Sequence, residues 1–394
     1  MDNEIEKNEA PSPSYEDKRI LWTRAGGRCE FPGCNEYLLE DRLTSHEPLN
    51  LGEAAHIVGQ KNTERSPRGK DPLPIEERSK VENLMLLCAK CHHKIIDNSK
   101  LIPEYPKEVL LEYKKKHEDR IRFLTGLIEE SETVVVKMIG DIRGNTVTIS
   151  KEQIRKAVLG SKRYPRYLGH EDGIIIDLTG YPSTNEELYW QSCKSKIDEK
   201  ITQIIAPQIE NKSITHISLF AFSRIPLLIY LGYVLGDKIP THIYQKNLGN
   251  EEDWQWTKKE SFTFKWEKLQ EGKDVTKVAL YLSVSGDIKK VEKKLLPQNL
   301  TEDFTIYEII TEGQEPNRQA VQSVETLYAF RSTYQHLLRH IEKNHKGIKE
   351  IVLVPAVPLS IGIMCGRELL RDVSPSLLVY DRTDKGYIFT IKVN

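Results

Sequence analysis

Apolar and polar positions follow different patterns along the chain and divide it into parts. Residues 15–25 predict a short helix, and residues 106–130 place apolar side chains at helical spacing on one face. Apolar runs at 52–58 and 81–87 predict two strands near the N-terminus. From residue 172 onward, near-continuous apolar runs alternate with helical stretches, which indicates buried parallel strands and an α/β fold.

The α/β part contains an internal repeat. Its first half has strand-like runs at 174–180, 216–229 and 241–245, and its second half has them at 278–286, 350–361 and 377–381. Two Rossmann-like units in one chain predict a pseudo-symmetric pair of sheets. Strands of such sheets end in loops where helix N-termini receive anionic groups, so we expect a ligand site there.

The length of 394 residues is sufficient for several cores. We expect a disordered N-terminus at 1–14, an α+β domain at 15–125, a linker formed by a helix end and a hairpin at 126–164, and an α/β domain at 165–394. The chain has neither a signal-like N-terminal run nor a stretch near the roughly 18 apolar residues that span a bilayer. We therefore expect a cytoplasmic protein. Its net charge of -1 neither favours nor excludes nucleic acid as a partner.

Four of the six cysteines form two closely spaced pairs, Cys29 with Cys34 and Cys88 with Cys91. Four thiolates at such short spacings can converge on one ion, which predicts a structural Zn²⁺ site. Two disulfides in an exported protein are the alternative, and the lack of a signal peptide disfavours it. Cys193 and Cys365 stand in apolar surroundings and are predicted to be core residues.

Histidine and asparagine side chains fall on the predicted strand, strand and helix of the N-terminal domain. His56 ends the first strand, Asn83 lies on the second, and His92 and His93 open the helix. This ββα order suits a catalytic divalent cation, which we expect to be Mg²⁺. We predict that His56 is the general base, because an imidazole has a near-neutral pKa. We expect Asn83 to hold the adjacent loop in place. We expect one of His92 and His93 to bind the metal.

Residues 29–97 resemble an HNH endonuclease, with His56, Asn83 and His92 or His93 at the signature positions. The resemblance implies metal-dependent hydrolysis of double-stranded DNA. Many members place Asp or His immediately before the base, where this chain has Ala55. We hypothesise that Glu53 supplies the missing carboxylate.

The α/β part carries no P-loop, Rossmann glycine fingerprint or nucleophile elbow, which argues against a second catalytic centre. Its candidate ligand-binding residues offer cations for phosphates and aromatic faces for bases: Arg224, Lys246, Trp254, Trp256 and Arg367.

Residues 165–394 also resemble a SAVED domain, on the segment 219–229 with Gly232, on Trp254 and Trp256, and on 353–360 with Gly366 and Arg367. The resemblance implies an effector of the bacterial anti-phage systems called CBASS. In these systems a cyclic di- or trinucleotide binds the SAVED domain, the effector forms a homo-oligomer, and the nuclease degrades DNA. One HNH centre cuts one strand at a time, which also favours paired nuclease modules.

Two other functions remain open at this point. A constitutive, restriction-type HNH nuclease would use its C-terminal half to recognise DNA and would need a basic, duplex-sized face on 165–394, where the charge is mixed. A zinc-finger adaptor without catalysis would leave His56, Asn83 and His92 unexplained at their spacing.

Overall fold

The computed structural model describes residues 9–42, 47–128, 131–168, 173–181, 186–247, 253–256 and 262–394. It divides the chain into two compact units, Met1–Ile128 and Glu129–Asn394. Within the described residues, no helix is both long enough and apolar enough to cross a bilayer.

The first unit is a small α+β body. Its elements are α1 (Tyr15–Ala25), β1 (Leu39–Asp41), β2 (Pro48–Asn50), β3 (Gly52–His56), β4 (Leu84–Cys88), α2 (Ala89–Cys91) and α3 (Lys107–Thr125). β1 pairs with β2 and β3 pairs with β4, both antiparallel. The core forms where β4, buried along its whole length, meets α1 and the first half of α3. The helices predicted at 15–25 and 106–130 are therefore confirmed.

Two local features of this unit differ from the prediction. Residues 9–14 are ordered: Ala10 is buried and its N–H donates to the Gln60 carbonyl, and the Ser14 side chain caps α1; residues 1–8 lie outside the described part. The strand predicted at 81–87 starts later, because Val81–Asn83 forms a 3-10 turn ahead of β4. Hydrogen bonds of the Asn83 side chain hold that turn.

The second unit contains two mostly parallel sheets. The first half comprises β5 (Glu132–Ile139), α4 (Lys151–Gly160), β6 (Tyr164–Arg166), β7 (Ile174–Asp177), α5 (Glu186–Lys200), α6 (Ala206–Glu210), β8 (Ile217–Phe222), α7 (Ile225–Leu235) and β9 (Thr241–Tyr244). The second half comprises β10 (Phe264–Gln270), β11 (Val278–Ser283), β12 (Thr305–Thr311), α8 (Val324–Asn344), β13 (Glu350–Ala356), α9 (Leu359–Arg367), β14 (Ser376–Thr383) and β15 (Gly386–Val393).

The two halves share one strand order. In the first, β5 pairs with β6 and β7 on one side and β8 on the other, and β9 follows β8, all parallel. In the second, β11 lies between β12 and β13, and β14 follows β13, again all parallel. β10 and β15 are antiparallel edge strands. The predicted pseudo-symmetric pair of sheets is present, and the sheets have their switch points beside β5 and β11, where ligands bind in open α/β sheets.

The prediction of a linker and hairpin at 126–164 was wrong. β5 runs through this range as a buried strand with neighbours on both edges, and it is the counterpart of β11. Asp141–Asn145 does form a turn closed by a bridge between Ile142 and Asn145, but the chain continues into α4 and not into a second hairpin strand. The second unit thus begins about 35 residues earlier than the predicted 165.

Helices α7 and α9 join the two halves. α7 follows β8 and α9 follows β13, the equivalent strands of the two halves, and nine of the eleven residues of α7 are buried. The helix backbones approach each other at two glycines: a Cβ on Gly232 would overlap the Ile363 carbonyl oxygen, and one on Gly366 would overlap the Ile229 carbonyl oxygen. Only glycine permits this distance, so the pairing of the halves depends on these two positions.

The glycine contact makes a prediction with an internal control. Gly366→Ala should lower the free energy of unfolding of the second unit by roughly 1–3 kcal/mol, because the helices must separate. Gly362→Ala lies one turn earlier on α9, where the nearest atoms to the new Cβ are 3.5 Å away. It should be neutral or stabilising by up to about 1 kcal/mol. Urea denaturation of both variants checks this; equal stabilities would contradict it.

Candidate functional site

Four cysteines converge in the first unit. The Sγ atoms of Cys29, Cys34, Cys88 and Cys91 all lie within 4.8 Å of one another, and the Cys34 and Cys88 sulfurs are 3.9 Å apart without forming a disulfide. The Cys88 N–H points at the Cys29 sulfur and the Cys91 N–H at the Cys88 sulfur, each at 3.5 Å. These four residues could hold one metal ion in an all-thiolate site.

Asn83 fixes the chain beside His56. Its Oδ1 accepts from the Val58 N–H at 2.9 Å, and its Nδ2 donates to the Val58 and Arg78 carbonyls, each at 2.8 Å. His56 ends β3 just before this clamp. Its Nε2 is buried and has no hydrogen-bond partner among the described residues. Burial and the nearby His92 lower the pKa of His56, so the imidazole is neutral near pH 7 and can accept a proton.

Glu53 meets both histidines of the helical segment. Its Oε2 lies 2.7 Å from His92 Nδ1 and 2.8 Å from His93 Nε2, and the two rings stack with centroids 4.3 Å apart. His92–Ile96 forms a turn of π-helix, a bulge often found at functional sites, in which these neighbouring side chains both reach one carboxylate. The structure thus brings Glu53 to both histidines, where the sequence predicted only one of them at the metal.

Two further residues join this cluster that the sequence had not singled out. Asp97 Oδ2 lies 3.1 Å from His92 Nε2, and Asp97 Oδ1 accepts from Arg68 Nη2 at 2.9 Å. Burial alone would lower the pKa of His92, but its hydrogen bonds to Asp97 and Glu53 outweigh burial and raise it. Asp97 is the last residue of the segment 29–97 that resembles an HNH endonuclease, but Arg68 lies in a polar loop that gave no signal of its role.

The second unit has a polar cleft at the C-terminal edge of its strands. Gln245, just after β9, caps α9 across the two halves: its Oε1 accepts from the Ser360 N–H at 3.0 Å and from the Ser360 hydroxyl at 2.8 Å. Beside it lies a cavity of about 150 Å³, lined by Gln245, Lys246, Asn247, Arg318, Gln319, Val321 and Gln322. Of the five predicted ligand residues, Lys246 alone lines it; the polar loop after β12 supplies Arg318, which sequence reasoning missed.

Arg224 connects the two halves near this edge. Its Nε lies 2.7 Å from Asp381 Oδ2 on β14, and its guanidinium carbon lies 4.2 Å from the centre of the Trp190 ring on α5. Both members of the ion pair are about 15% exposed. Arg224 is therefore already paired with a carboxylate, and removing either partner would leave a buried charge.

Three of the predicted ligand residues lie outside the lining of the polar cleft and have protein partners of their own. Trp254 is buried and packs edge-on against Phe220 at 5.6 Å, so its face is closed to a base. The Trp256 indole N–H donates to His242 Nε2 at 3.2 Å. Arg367 ends α9 and bonds to Thr241 Oγ1 and the Ile239 carbonyl at the start of β9, the opposite end from Lys246. A linear sequence does not show which end of a sheet such a side chain reaches.

The sequence model of the family described as "SMODS-associated and fused to various effectors sensor domain" (SAVED) matches residues 197–393, half of the chain. A Cap4 SAVED/CARF-domain containing receptor of Acinetobacter baumannii, solved with the cyclic trinucleotide 2'3'3'-cAAA, is 14% identical with a TM-score of 0.45; the match covers 72% of this chain and 56% of that one. A Cap4 SAVED/CARF-domain containing receptor of Moraxella osloensis is also 14% identical, with a TM-score of 0.36. That match covers 58% of this chain and 49% of the receptor. The chain thus spans about half the length of these receptors. No curated protein matches it.

The burial of His242, whose Nε2 accepts from the Trp256 indole N–H, predicts a pH dependence of stability. Burial, aided by Arg163, lowers the pKa of His242 from 6.5 to about 4. Below pH 6.5 the unfolded chain gains a proton that the folded chain refuses, so the free energy of unfolding should fall from pH 6.5 to about 4, by up to about 1.4 kcal/mol per pH unit. His242→Gln keeps an acceptor for the indole N–H. Its free energy of unfolding, measured by urea denaturation, should fall less than that of the wild type between pH 6.5 and about 4. Equal losses in both proteins would contradict the prediction.

Proposed function

This chain belongs to the SAVED family of sensor domains, and from that premise we propose that it is a ligand-activated DNA endonuclease acting as an effector of anti-phage defence. In this proposal the first unit cleaves double-stranded DNA, and the second unit activates it after binding a cyclic di- or trinucleotide. The observation that carries the nuclease assignment is the convergence of Glu53, His92 and His93 near His56, whose pKa is lowered by burial and by His92 and whose Nε2 has no hydrogen-bond partner among the described residues.

His56 would remove a proton from the attacking water, since its Nε2 is free of protein partners among the described residues and its lowered pKa keeps it unprotonated. Asn83 would keep the loop beside it in place. A divalent cation held by Glu53, His92 and His93 would stabilise charge on the scissile phosphate and the leaving oxygen. One carboxylate and two imidazoles suit Mn²⁺ or Ni²⁺ better than the expected Mg²⁺, which prefers oxygen ligands.

We propose that the four cysteines hold structural Zn²⁺. Cys29 and Cys34 come from the loop after α1, whereas Cys88 and Cys91 flank the start of α2. An ion bound by all four would fix the helical turn that carries His92 and His93 to the N-terminal loop. A unit with a core this small gains folding free energy from such a staple.

The polar cleft is our proposed ligand site. Lys246 and Arg318 line it with positive charge, and the N-terminus of α9 lies beside it. Cations and the first N–H groups of a helix stabilise phosphate, which suits a cyclic oligonucleotide. Because one nuclease centre cuts one strand, we propose that ligand binding favours a homo-oligomer, a dimer or larger, in which two centres act on one duplex.

The zinc assignment predicts a selective loss of metal. The purified chain should carry about one zinc, and Cys88→Ser should lose it and melt at a lower temperature, because three thiolates bind zinc more weakly than four. Cys193→Ala removes a buried thiol outside the cluster and should retain the zinc. Atomic emission and thermal melts report both quantities; undiminished zinc in Cys88→Ser would refute the assignment.

The nuclease assignment is tested by plasmid cleavage with Mn²⁺ or Mg²⁺ and a panel of cyclic di- and trinucleotides. Cleavage should require one of these nucleotides, and His56→Ala should slow it by about 100-fold or more, because the general base is lost. His336→Ala, an exposed histidine on α8, should cleave at the wild-type rate.

Each other outcome changes the assignment. Cleavage without any nucleotide would favour a constitutive, restriction-type nuclease, and unimpaired cleavage by His56→Ala would remove His56 from the chemistry. No cleavage under any condition would overturn the proposal.

A further inference from the structure

Arg68 lies in the polar loop between β3 and β4, with its side chain only 6% exposed. Its Nε donates to the Ile57 carbonyl, next to His56, and its Nη1 donates to the Ile96 carbonyl at 2.8 Å. Its Nη2 donates to Asp97 Oδ1 at 2.9 Å. One guanidinium thus binds the strand that carries the proposed base and the helical turn that carries the proposed metal ligands.

The backbone conformation at Arg68 indicates that this position requires the arginine side chain. Its φ is +53°, in the left-handed region that costs a residue with a Cβ about 1–2 kcal/mol. Glycine would adopt this conformation freely. The bonds of the guanidinium offset that cost, so the loop holds an arginine where turn geometry alone would favour glycine.

Asp97 transmits the contact to the metal cluster. Its Oδ1 binds Arg68, and its Oδ2 lies 3.1 Å from His92 Nε2. Both ring nitrogens of His92 face carboxylates and donate to them, Nε2–H to Asp97 and Nδ1–H to Glu53. A divalent cation at Glu53 would take the place of the Nδ1 proton, while the bond from Nε2–H to Asp97 would continue to hold the ring in this orientation. The orientation of His92 therefore depends on Arg68 through Asp97.

We propose that Arg68 is a positioning residue that sets the placement of His56 relative to the cluster of Glu53, His92 and His93, and that Asp97 carries its effect to His92. This inference rests on the proposed nuclease function. Arg68 touches neither metal nor substrate in this account; it acts by holding two chain segments in register, as groups that support a metal ligand do.

The test uses the zinc-loaded chain of 394 residues. It compares Arg68→Gln, Arg68→Lys and Asp97→Asn with Arg65→Gln, a variant at an exposed residue of the same loop. Mn²⁺ affinity is measured by calorimetry, and Glu53→Gln defines the heat that belongs to the cluster. Arg68→Gln should weaken Mn²⁺ binding 10- to 100-fold and slow single-turnover cleavage at saturating Mn²⁺ by at least about 10-fold.

Arg68→Lys should show smaller losses in Mn²⁺ affinity and cleavage than Arg68→Gln, because lysine keeps the positive charge. It should not match the wild type, because an ammonium cannot bind the carbonyls and the carboxylate at once as the guanidinium does. The double variant Arg68→Gln/Asp97→Asn should lose no more Mn²⁺ affinity than the more impaired single variant, since both act on His92 by one route. Arg65→Gln should match the wild type.

Unchanged Mn²⁺ affinity and cleavage in Arg68→Gln would overturn the proposal. Equal falls in zinc content and melting temperature for Arg68→Gln and Arg68→Lys would also overturn it, because they would show a role in folding only. A wild-type chain that binds no Mn²⁺ at Glu53 and cuts no DNA would instead refute the nuclease function, and this outcome is distinct from both.

Discussion

The close packing of α7 against α9 is the constraint on which the second unit depends. Because Gly232 and Gly366 let the two backbones approach, the C-terminal edges of both sheets open into one region. Contacts across the halves then become possible there: Gln245 caps α9, and Arg224 pairs with Asp381. The proposed ligand site lies at this junction of the two halves, where binding could change how the halves pack.

The first unit places its chemistry by a different means. Its antiparallel strands are short, and individual contacts hold the side chains of the proposed site. Asn83 binds the chain just after His56, and Arg68 connects that chain to the helical turn. The cysteine cluster lies just before the same turn. The π-helical turn at His92–Ile96 supplies the geometry in which two adjacent histidines face Glu53. Small displacements of any of these contacts would separate the proposed base from the proposed metal ligands.

The spacing of residues along the chain predicted the candidate site of the first unit. Features of the second unit that depend on tertiary contacts could not be predicted in this way. Glu53 was predicted to join the histidines, and it does, because β3 pairs with β4 and places Glu53 opposite Leu87, just before the helical turn. β5 was mistaken for a hairpin because Lys137 interrupts its apolar run and Gly140 follows it, yet Lys137 is buried in the sheet. Trp254 stands in a polar segment and packs in the core, a contact that no local pattern predicts.

Coupling between the sensor and the proposed nuclease can be measured without catalysis. If a nucleotide activates cleavage by shifting the protein toward a state that binds DNA more tightly, it raises the affinity for DNA by some factor. DNA must then raise the affinity for that nucleotide by the same factor. The measurement is calorimetric titration of the activating nucleotide into the His56→Ala chain, with and without duplex DNA. The account predicts tighter nucleotide binding, by roughly 5- to 150-fold, when DNA is present. Equal affinities with and without DNA would contradict it.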